Sequence, residues 1–299
     1  MKAIELFAGI GGSALGVVNA GHDLVAAYEI VPQFVDCFNA QKILPPVAQV
    51  SDVGTVEPPE CDLVTAGPVC KAFSPGATLF GTGGADDDRN TFPLMFEFIR
   101  KAQPRRLLIE NSYGIARFKE YVKKLLDALN GMGFIIRWGE IDCYDYGVPQ
   151  HRRRVVFLCS KSDPWEIPNS TRGLDDPITV GDCLKVPPPP SDPWPLLLPM
   201  TEKGRDYFER DPRHRIKHPP LQVFKPSSTV VSIYRKGVPY GVVEADGDLH
   251  LCGPRLAARL QSFPDSFDLS GMSKTRALEA IGNAFPGRAV EAMLTTMPR

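Results

Sequence analysis

The chain has 299 residues, of which 43% are hydrophobic and 23% are charged, and its formal net charge is −1. This composition is ordinary for a globular protein that can bury a substantial core. Its apolar runs are too short to span a bilayer and its first residues lack the features of a signal peptide, so we expect a cytoplasmic protein without a membrane segment.

The near-neutral charge excludes a globally basic nucleic-acid-binding protein, so any such surface must be a local patch. Two candidates are the cluster Arg152–Arg154 and the stretch from Lys203 to Lys217, in which acidic residues dilute the charge. The seven cysteines are odd in number and no two have CxxC spacing, which argues against a disulfide framework or a zinc site. We therefore expect core cysteines, with one chemical role at most, and no metal.

Strands and helices alternate over the first 160 residues, which predicts an α/β fold: a Rossmann-like, mostly parallel sheet with helices on both faces. The composition then changes, and Pro187–Pro190 cannot continue a helix, so a smaller irregular domain is expected. We predict a large domain from residues 1–165 and 273–299, and a small one from residues 166–272. The predicted strands are Lys2–Phe7, Leu24–Tyr28, Asp62–Ala66, Arg106–Glu110, Phe134–Trp138 and Val155–Cys159, and the helices among them are Gly11–Asn19, Pro32–Gln41, Phe92–Lys101 and Tyr121–Met132.

Chemically distinctive residues follow these strands at the edge where a parallel sheet binds its ligands. A glycine turn, Gly9–Gly12, follows the first strand, Glu29 follows the second, and Asp52 lies near the next strand end. Glycines allow close backbone approach to a ligand, and an acid twenty residues later has the spacing of one that binds ribose hydroxyls. This signal fits a nicotinamide, a flavin or an S-adenosylmethionine enzyme. The departure of the glycines from GxGxxG argues against a dinucleotide cofactor.

A cysteine and an acid occupy the next two strand ends. Cys70 lies in a loop opened by Gly67-Pro68, and Glu110 ends a strand. The thiolate is the reactive form of cysteine, and a nearby cation favours it. Lys71 and the cluster Arg152–Arg154 are candidate cations. The position of Cys70 at the ligand edge distinguishes it from an inert core cysteine and makes it a candidate nucleophile, with Glu110 as a candidate acid.

Six motifs in family order resemble those of the cytosine-C5 DNA methyltransferases. The resemblance covers most of the chain and implies that the large domain is catalytic and binds S-adenosylmethionine, while the small domain recognises the target. The motifs are the cofactor loop Glu5–Gly12, the nucleophile loop Gly67–Ser74, Glu110–Ser112, the Gln-x-Arg-x-Arg segment Tyr146–Arg154, Ala258–Asp265 and the closing segment Ile281–Pro286.

The resemblance implies roles for individual residues. Cys70 would attack carbon 6 of a flipped-out cytosine, Glu110 would hydrogen-bond ring nitrogen N3, and Arg154 would contact the base with Arg152 nearby. The residues implied to bind the cofactor are Phe7, Gly9, Gly11, Glu29, Ile30, Asp52, Val53, Phe92 and Asn283. The residues implied to contact DNA are Lys71, Ser74, Gln150 and Arg259.

The implied reaction explains why these residue types are needed. Thiolate addition at C6 makes C5 able to take a methyl group, and a proton or hydrogen bond at N3 stabilises charge in the ring. The target base must leave the duplex, because stacking hides C6. The implied cofactor is S-adenosylmethionine without a metal, and the implied partner is double-stranded DNA. A cognate restriction endonuclease is a further candidate partner, and a monomer is expected to suffice.

The chain departs from the usual family residues beside the nucleophile and at three other positions. Val69 and Lys71 stand where proline and glutamine are usual, and valine adds a backbone N–H that proline lacks. These changes indicate a divergent member, since none removes a residue implied to perform the chemistry. The other departures are Ser112 for valine, Leu256 for glutamate and Gly287 for proline.

Three alternatives stay open. An RNA cytosine-C5 methyltransferase would use the same catalytic residues. A catalytically impaired homologue that binds DNA or regulates a partner would account for the departures at Val69, Lys71 and Leu256. A nicotinamide oxidoreductase fits least, because it has no use for the cysteine and arginine motifs.

Overall fold

A seven-stranded sheet organises the computed structural model, which describes residues 1–69, 90–171, 178–190, 192–210, 220–230 and 241–298. Its strands are β1 (Lys2–Leu6), β2 (Asp23–Glu29), β3 (Ala48–Val50), β4 (Leu63–Ala66), β5 (Arg106–Ser112), β6 (Ile135–Asp142) and β7 (Arg153–Ser160). They lie in the order β3-β2-β1-β4-β5-β7-β6. The first five strands pair in parallel, while β7 is antiparallel to both of its neighbours. The mostly parallel sheet predicted from sequence is therefore confirmed.

Helices cover both faces of this sheet, and alternate side chains of its central strands enter two separate apolar clusters. On β1, Ala3 belongs to the cluster that contains Ala14 and Val290, while Ile4 belongs to the cluster that contains Met95 and Leu125. The helices are α1 (Gly12–Asn19), α2 (Pro32–Asn39), α3 (Phe92–Ala102), α4 (Lys119–Gly131), α5 (Val180–Leu184), α6 (Glu202–Arg210), α7 (Pro254–Leu260), α8 (Lys274–Asn283) and α9 (Gly287–Thr295).

A second, four-stranded sheet follows the main one along the chain. Its strands are β8 (Leu197–Pro199), β9 (Leu221–Gln222), β10 (Val242–Ala245) and β11 (Asp248–Cys252), in the order β8-β11-β10-β9. A buried ion pair joins Asp192, which precedes this sheet, to Arg255 on α7. The boundaries at residues 166 and 272 stay a prediction. Within the described ranges, no helix is long and apolar enough to cross a membrane.

Two glycines let α1 and α9 pack closely together. A Cβ on Gly16 would overlap the carbonyl oxygen of Gly287 and lie 2.5 Å from the Val290 Cβ. A Cβ on Gly287 would lie 3.0 Å from the carbonyl oxygen of Gly12. The glycine at position 287, where the family usually has proline, therefore belongs to a close contact between helices that holds the C-terminal segment against the glycine loop.

Because this contact is with backbone atoms, we expect Gly16→Ala to destabilise the protein by roughly 1–3 kcal/mol through overpacking. Gly131→Ala is the matched control, since a Cβ at Gly131 on α4 would have no atom within 4 Å. That change should be neutral or stabilise the protein by up to about 1 kcal/mol. Urea unfolding measures both values, and equal stability of the two variants would contradict the packing argument.

Glu5 is a carboxylic acid inside the core of the main sheet. It is 3% exposed, and the Ser13 hydroxyl at the start of α1 donates a hydrogen bond to it. Burial raises the pKa of Glu5 to about 8, with a smaller contribution from the charge of Glu29. The side chain is thus mostly protonated in the folded protein at neutral pH, whereas it is ionised in the unfolded chain.

A raised carboxyl pKa gives stability that is fully present below the unfolded pKa of about 4.5 and is lost as the pH rises toward about 8. We therefore expect wild-type protein to lose free energy of unfolding relative to Glu5→Gln between pH 5 and pH 8, by at most about 1.4 kcal/mol per pH unit. Urea unfolding at four pH values tests this, with the exposed Glu120→Gln on α4 as the control. The prediction would be refuted if the difference in free energy of unfolding between wild type and Glu5→Gln were the same at all four pH values.

Candidate functional site

The strand order brings the predicted ligand-binding segments to one edge of the sheet. The central strands β2, β1, β4 and β5 are adjacent and parallel, so their carboxyl ends lie side by side. The glycine loop after β1, the Glu29 end of β2, the Gly67–Val69 segment after β4 and the Glu110 end of β5 therefore line one edge. This is the edge at which open α/β sheets bind ligands.

The glycine loop has a backbone shape that few residues adopt. Phe7, Gly9 and Gly11 have φ values of 59°, 54° and 94°, and a Cβ at Gly9 would have no atom within 4 Å. Glu29 fixes the loop, because its carboxylate accepts hydrogen bonds from the Gly9 N–H and the Val31 N–H, both at 2.9 Å. The open space over Gly9 gives a ligand access to the backbone.

The other predicted cofactor residues divide into exposed and buried groups. Ile30 is 65% exposed, and Asp52 is exposed while its carboxylate accepts from the Gly54 N–H at 2.9 Å. Val53 and Phe92 are buried in the same apolar cluster, beneath this surface. Ile30 and Asp52 can touch a bound molecule directly, whereas Val53 and Phe92 are part of the apolar core.

The closing motif completes this side of the site. Asn283 is exposed at the end of α8. A Cβ on Gly12 would lie 2.8 Å from both the Ala284 Cβ and the Phe285 carbonyl oxygen, so the motif packs directly on the glycine loop. The structure thus brings the two ends of the chain together at the predicted cofactor site.

Glu110 and Arg154 form the charged centre of the edge. The Arg154 Nε lies 2.7 Å from the Glu110 Oε1, and the two side chains are 12% and 13% exposed. Burial raises the pKa of Glu110, while the charges of Arg154 and Arg152 partly oppose this rise. The Glu110 Oε2 lies 3.5 Å from where a Cβ on Gly67 would be, so the carboxyl faces the start of the predicted nucleophile loop.

Two side chains that had no predicted role, Asn111 of the Glu110–Ser112 motif and Thr91, anchor the start of that loop. Asn111 is fully buried and its amide donates to the Pro68 carbonyl at 2.9 Å. The Val69 N–H donates to the Thr91 hydroxyl at 2.9 Å, just before α3. The N–H that valine adds is therefore used in a hydrogen bond. A threonine before Phe-Pro is a sequence signal for a helix start, but its contact with Val69 had no sequence signal.

Three of the predicted functional residues at the nucleophile loop, Cys70, Lys71 and Ser74, lie outside the described residues. The other six cysteines are all buried and unpaired in the part of the chain that the structure describes. Cys143 is the one near Glu110 and Arg154, and burial raises its pKa to about 12. A thiol with such a pKa is a poor nucleophile at neutral pH, so Cys143 does not compete for the role predicted for Cys70.

Gln150, Arg152 and Arg259, which were predicted to contact DNA or to lie near the base, each make hydrogen bonds within the protein. Gln150 is fully buried and donates to the Leu260 carbonyl at 2.9 Å. Arg152 is 1% exposed and donates to the carbonyls of Val230, Gly282 and Ala284 at 2.8–3.0 Å. Both side chains therefore join separate segments of the protein.

Arg259 is likewise occupied within the protein. It pairs with Asp265 at 2.7 Å and donates to the carbonyls of Cys183, Val186 and Pro187. It therefore ties α7 to the segment after α5. Of the cluster Arg152–Arg154, only Arg153 is well exposed, and it forms an ion pair with Glu140. Residues 211–217 of the second predicted basic patch lie outside the described residues, and Arg205 in its described part forms an ion pair with Asp248 at 2.6 Å.

Comparisons with known proteins agree with this arrangement. Residues 1–185 match the model of the family described as C-5 cytosine-specific DNA methylase. The type II methyltransferase M.NaeI of Lentzea aerocolonigenes is 29% identical over 313 residues, which covers 98% of this chain and 73% of that protein. The type II methyltransferase M.NgoMIV of Neisseria gonorrhoeae is 26% identical over 325 residues, which covers 97% of this chain and 95% of that protein.

Solved structures show the same fold. The crystal structure of S. pombe Dnmt2 methyltransferase superposes with a TM-score of 0.75 at 18% identity, covering 99% of this chain and 97% of the other. A putative DNA modification methyltransferase from an E. coli prophage gives a TM-score of 0.72 at 20% identity, covering 99% and 98%. With a family model matching well over half of its length, the chain belongs to the C-5 cytosine-specific DNA methylases and is a DNA (cytosine-5-)-methyltransferase.

Proposed function

We propose that this protein transfers a methyl group from S-adenosylmethionine to carbon 5 of a flipped-out cytosine in a short duplex DNA site, with Cys70 as the nucleophile. The observation that carries the proposal is the Glu110–Arg154 ion pair beside Gly67. It places a buried acid and a cation beside Gly67, which precedes Cys70 by three residues in the sequence, at the edge that also carries the glycine loop.

The residues at the glycine loop fit S-adenosylmethionine. The open backbone at Gly9 suits close approach of the methionine part, and the Glu29 carboxylate keeps free lone pairs for ribose hydroxyls. The exposed Ile30 offers an apolar surface for the adenine, and Asp52 can accept from its amino group. Phe7, Gly11, Val53, Phe92 and Asn283 complete the proposed site. When bound, this cofactor supplies an electrophilic methyl group.

The chemistry of the base depends on Cys70 and Glu110. The Cys70 sulfur would bond to C6 of cytosine, which makes C5 nucleophilic. Because burial raises the pKa of Glu110, its carboxyl can hold a proton for N3 while Arg154 keeps it oriented. After methylation, loss of the C5 proton and breaking of the bond between sulfur and C6 would restore the thiolate and the aromatic ring.

Duplex DNA is the proposed substrate because the family is described as C-5 cytosine-specific DNA methylase, and the relatives M.NaeI and M.NgoMIV are methyltransferases. Lys71 and Ser74, which adjoin Cys70 in sequence, are proposed to contact the strand that carries the target. Those relatives are type II methyltransferases, so a cognate restriction endonuclease is the proposed cellular partner. We further propose that the enzyme acts as a monomer in the cytoplasm, without a metal.

The direct test is transfer of labelled methyl groups to unmethylated duplex DNA, with tRNA in parallel. We expect 5-methylcytosine in DNA, detected by mass spectrometry of digested nucleosides, and none with Cys70→Ser. Glu110→Gln should lower kcat by about 10²- to 10⁴-fold, because general acid catalysis is lost. Glu166→Gln, which removes an exposed acid paired with Arg137, is the matched control and should keep full activity.

Label in tRNA alone would overturn the DNA assignment and leave the chemistry intact. Folded protein that binds S-adenosylmethionine but labels neither substrate would instead favour the catalytically impaired homologue.

The hydrogen bond at Val69 yields a second prediction for activity. Val69→Pro restores the residue usual in the family but removes the N–H that binds Thr91, so we expect a loss of about 1 kcal/mol in stability and a lower kcat. Thr91→Val removes the same bond from the other side. If the bond is what matters, Val69→Pro in the Thr91→Val background costs little more. An increase of kcat in Val69→Pro would show that the loop does not depend on this bond.

A further inference from the structure

Two buried polar side chains lie side by side on the adjacent strands that lead to the cofactor and nucleophile loops. Glu5 on β1 and Thr65 on β4 are partners in the parallel register and are 3% and 0% exposed. Among the described residues, the Glu5 Oε2 and the Thr65 hydroxyl oxygen have no hydrogen-bond partner. A buried polar atom left in this state costs about 1–3 kcal/mol, so a pair of them at matched positions needs an explanation.

The spacing of the strands suggests what satisfies both atoms. Neighbouring strands lie about 4.8 Å apart, and partners in register point to the same face. The two side chains make no direct hydrogen bond, and one water molecule can bridge neighbouring polar groups that do not bond directly. A buried water is stable where it finds two to four polar partners, and Ser13, which already donates to Glu5, adds a third group.

We propose that one buried water molecule binds between the Glu5 carboxyl and the Thr65 hydroxyl, and that Glu5 is a positioning residue for the cofactor loop. Two residues after Glu5 the chain enters the strained turn at Phe7, and two residues after Thr65 it reaches Gly67, beside Glu110. A shared water would hold the ends of β1 and β4 at a fixed spacing. The positioning half of this proposal rests on the proposed S-adenosylmethionine site.

The state of the Glu5 carboxyl agrees with this role. Because burial raises its pKa, the carboxyl carries a proton near neutral pH and can donate as well as accept. A neutral acid and a hydroxyl together offer both donors and acceptors to a water, without an uncompensated buried charge. The charge of Glu29, on the adjacent strand β2, adds to the rise in the pKa of Glu5.

The water site is tested without any cofactor, by a double-mutant cycle in urea unfolding. Glu5→Leu and Thr65→Val each remove one group that binds the water, so each should raise the unfolding equilibrium constant. In the double variant, the increase should be roughly fivefold or more smaller than the product of the two single increases. Glu5→Leu combined with Thr295→Val, at the end of α9, is the additive control. Additivity of Glu5→Leu with Thr65→Val would overturn the shared water, as would a crystal structure without density between the two groups.

The positioning role is tested by direct titration of S-adenosylmethionine. We expect Glu5→Leu and Thr65→Val to weaken binding by about tenfold, and Glu5→Gln, which keeps a donor and an acceptor, to restore it. Leu125→Ala, a core truncation on α4, controls for lost stability and should keep the wild-type Kd. Unchanged Kd values in Glu5→Leu and Thr65→Val would refute the positioning role.

The two tests separate this inference from the proposed function. If the wild-type protein binds no S-adenosylmethionine, both the proposed cofactor and the positioning role fail, while the unfolding cycle still decides whether the water is shared. If the wild type binds and methylates normally but the cycle is additive, only the inference about Glu5 and Thr65 fails.

Discussion

The buried guanidinium of Arg152 is the interaction on which the rest of the site depends. It donates hydrogen bonds to Val230, which follows β9 along the chain, and to Gly282 and Ala284 in the closing motif. Gln150 strengthens this junction, because it donates to Leu260 and accepts from the Val230 N–H at 2.6 Å. Three separate parts of the chain therefore meet at one charged group, which is costly to bury and needs this full set of acceptors.

Arg152 and Arg154 both point inward but bind different groups. Side chains alternate in direction along an extended chain, so Arg153 points to solvent while Arg152 and Arg154 point inward. Arg152 is held by carbonyl groups, whereas Arg154 pairs with the carboxylate of Glu110. Arg152 therefore joins segments of the fold, whereas Arg154 orients the buried acid Glu110.

The sequence predicted the sheet because strand and helix periodicities alternate clearly over the first 160 residues. It also placed Glu29 and Glu110 at one edge, since parallel strands end together. It could not reveal the internal hydrogen bonds of Gln150 and Arg259, because a motif reveals residue type and spacing but not whether the polar end of a side chain meets solvent or a carbonyl group. The alternating direction of side chains in an extended chain was a usable signal that Arg152 and Arg154 point to the side opposite to Arg153.

Contacts between distant segments were the least predictable part. Asn111 binding Pro68, and Thr91 binding Val69, join residues that lie 43 and 22 positions apart. Both contacts depend on how β4, β5 and α3 are placed relative to one another, and this placement is defined only in the folded chain. They hold the described part of the loop before Cys70 from two sides, on β5 and at the start of α3. A valine at position 69 is therefore compatible with a fixed loop start, because a hydrogen bond supplies the restraint that a proline ring would supply by covalent geometry.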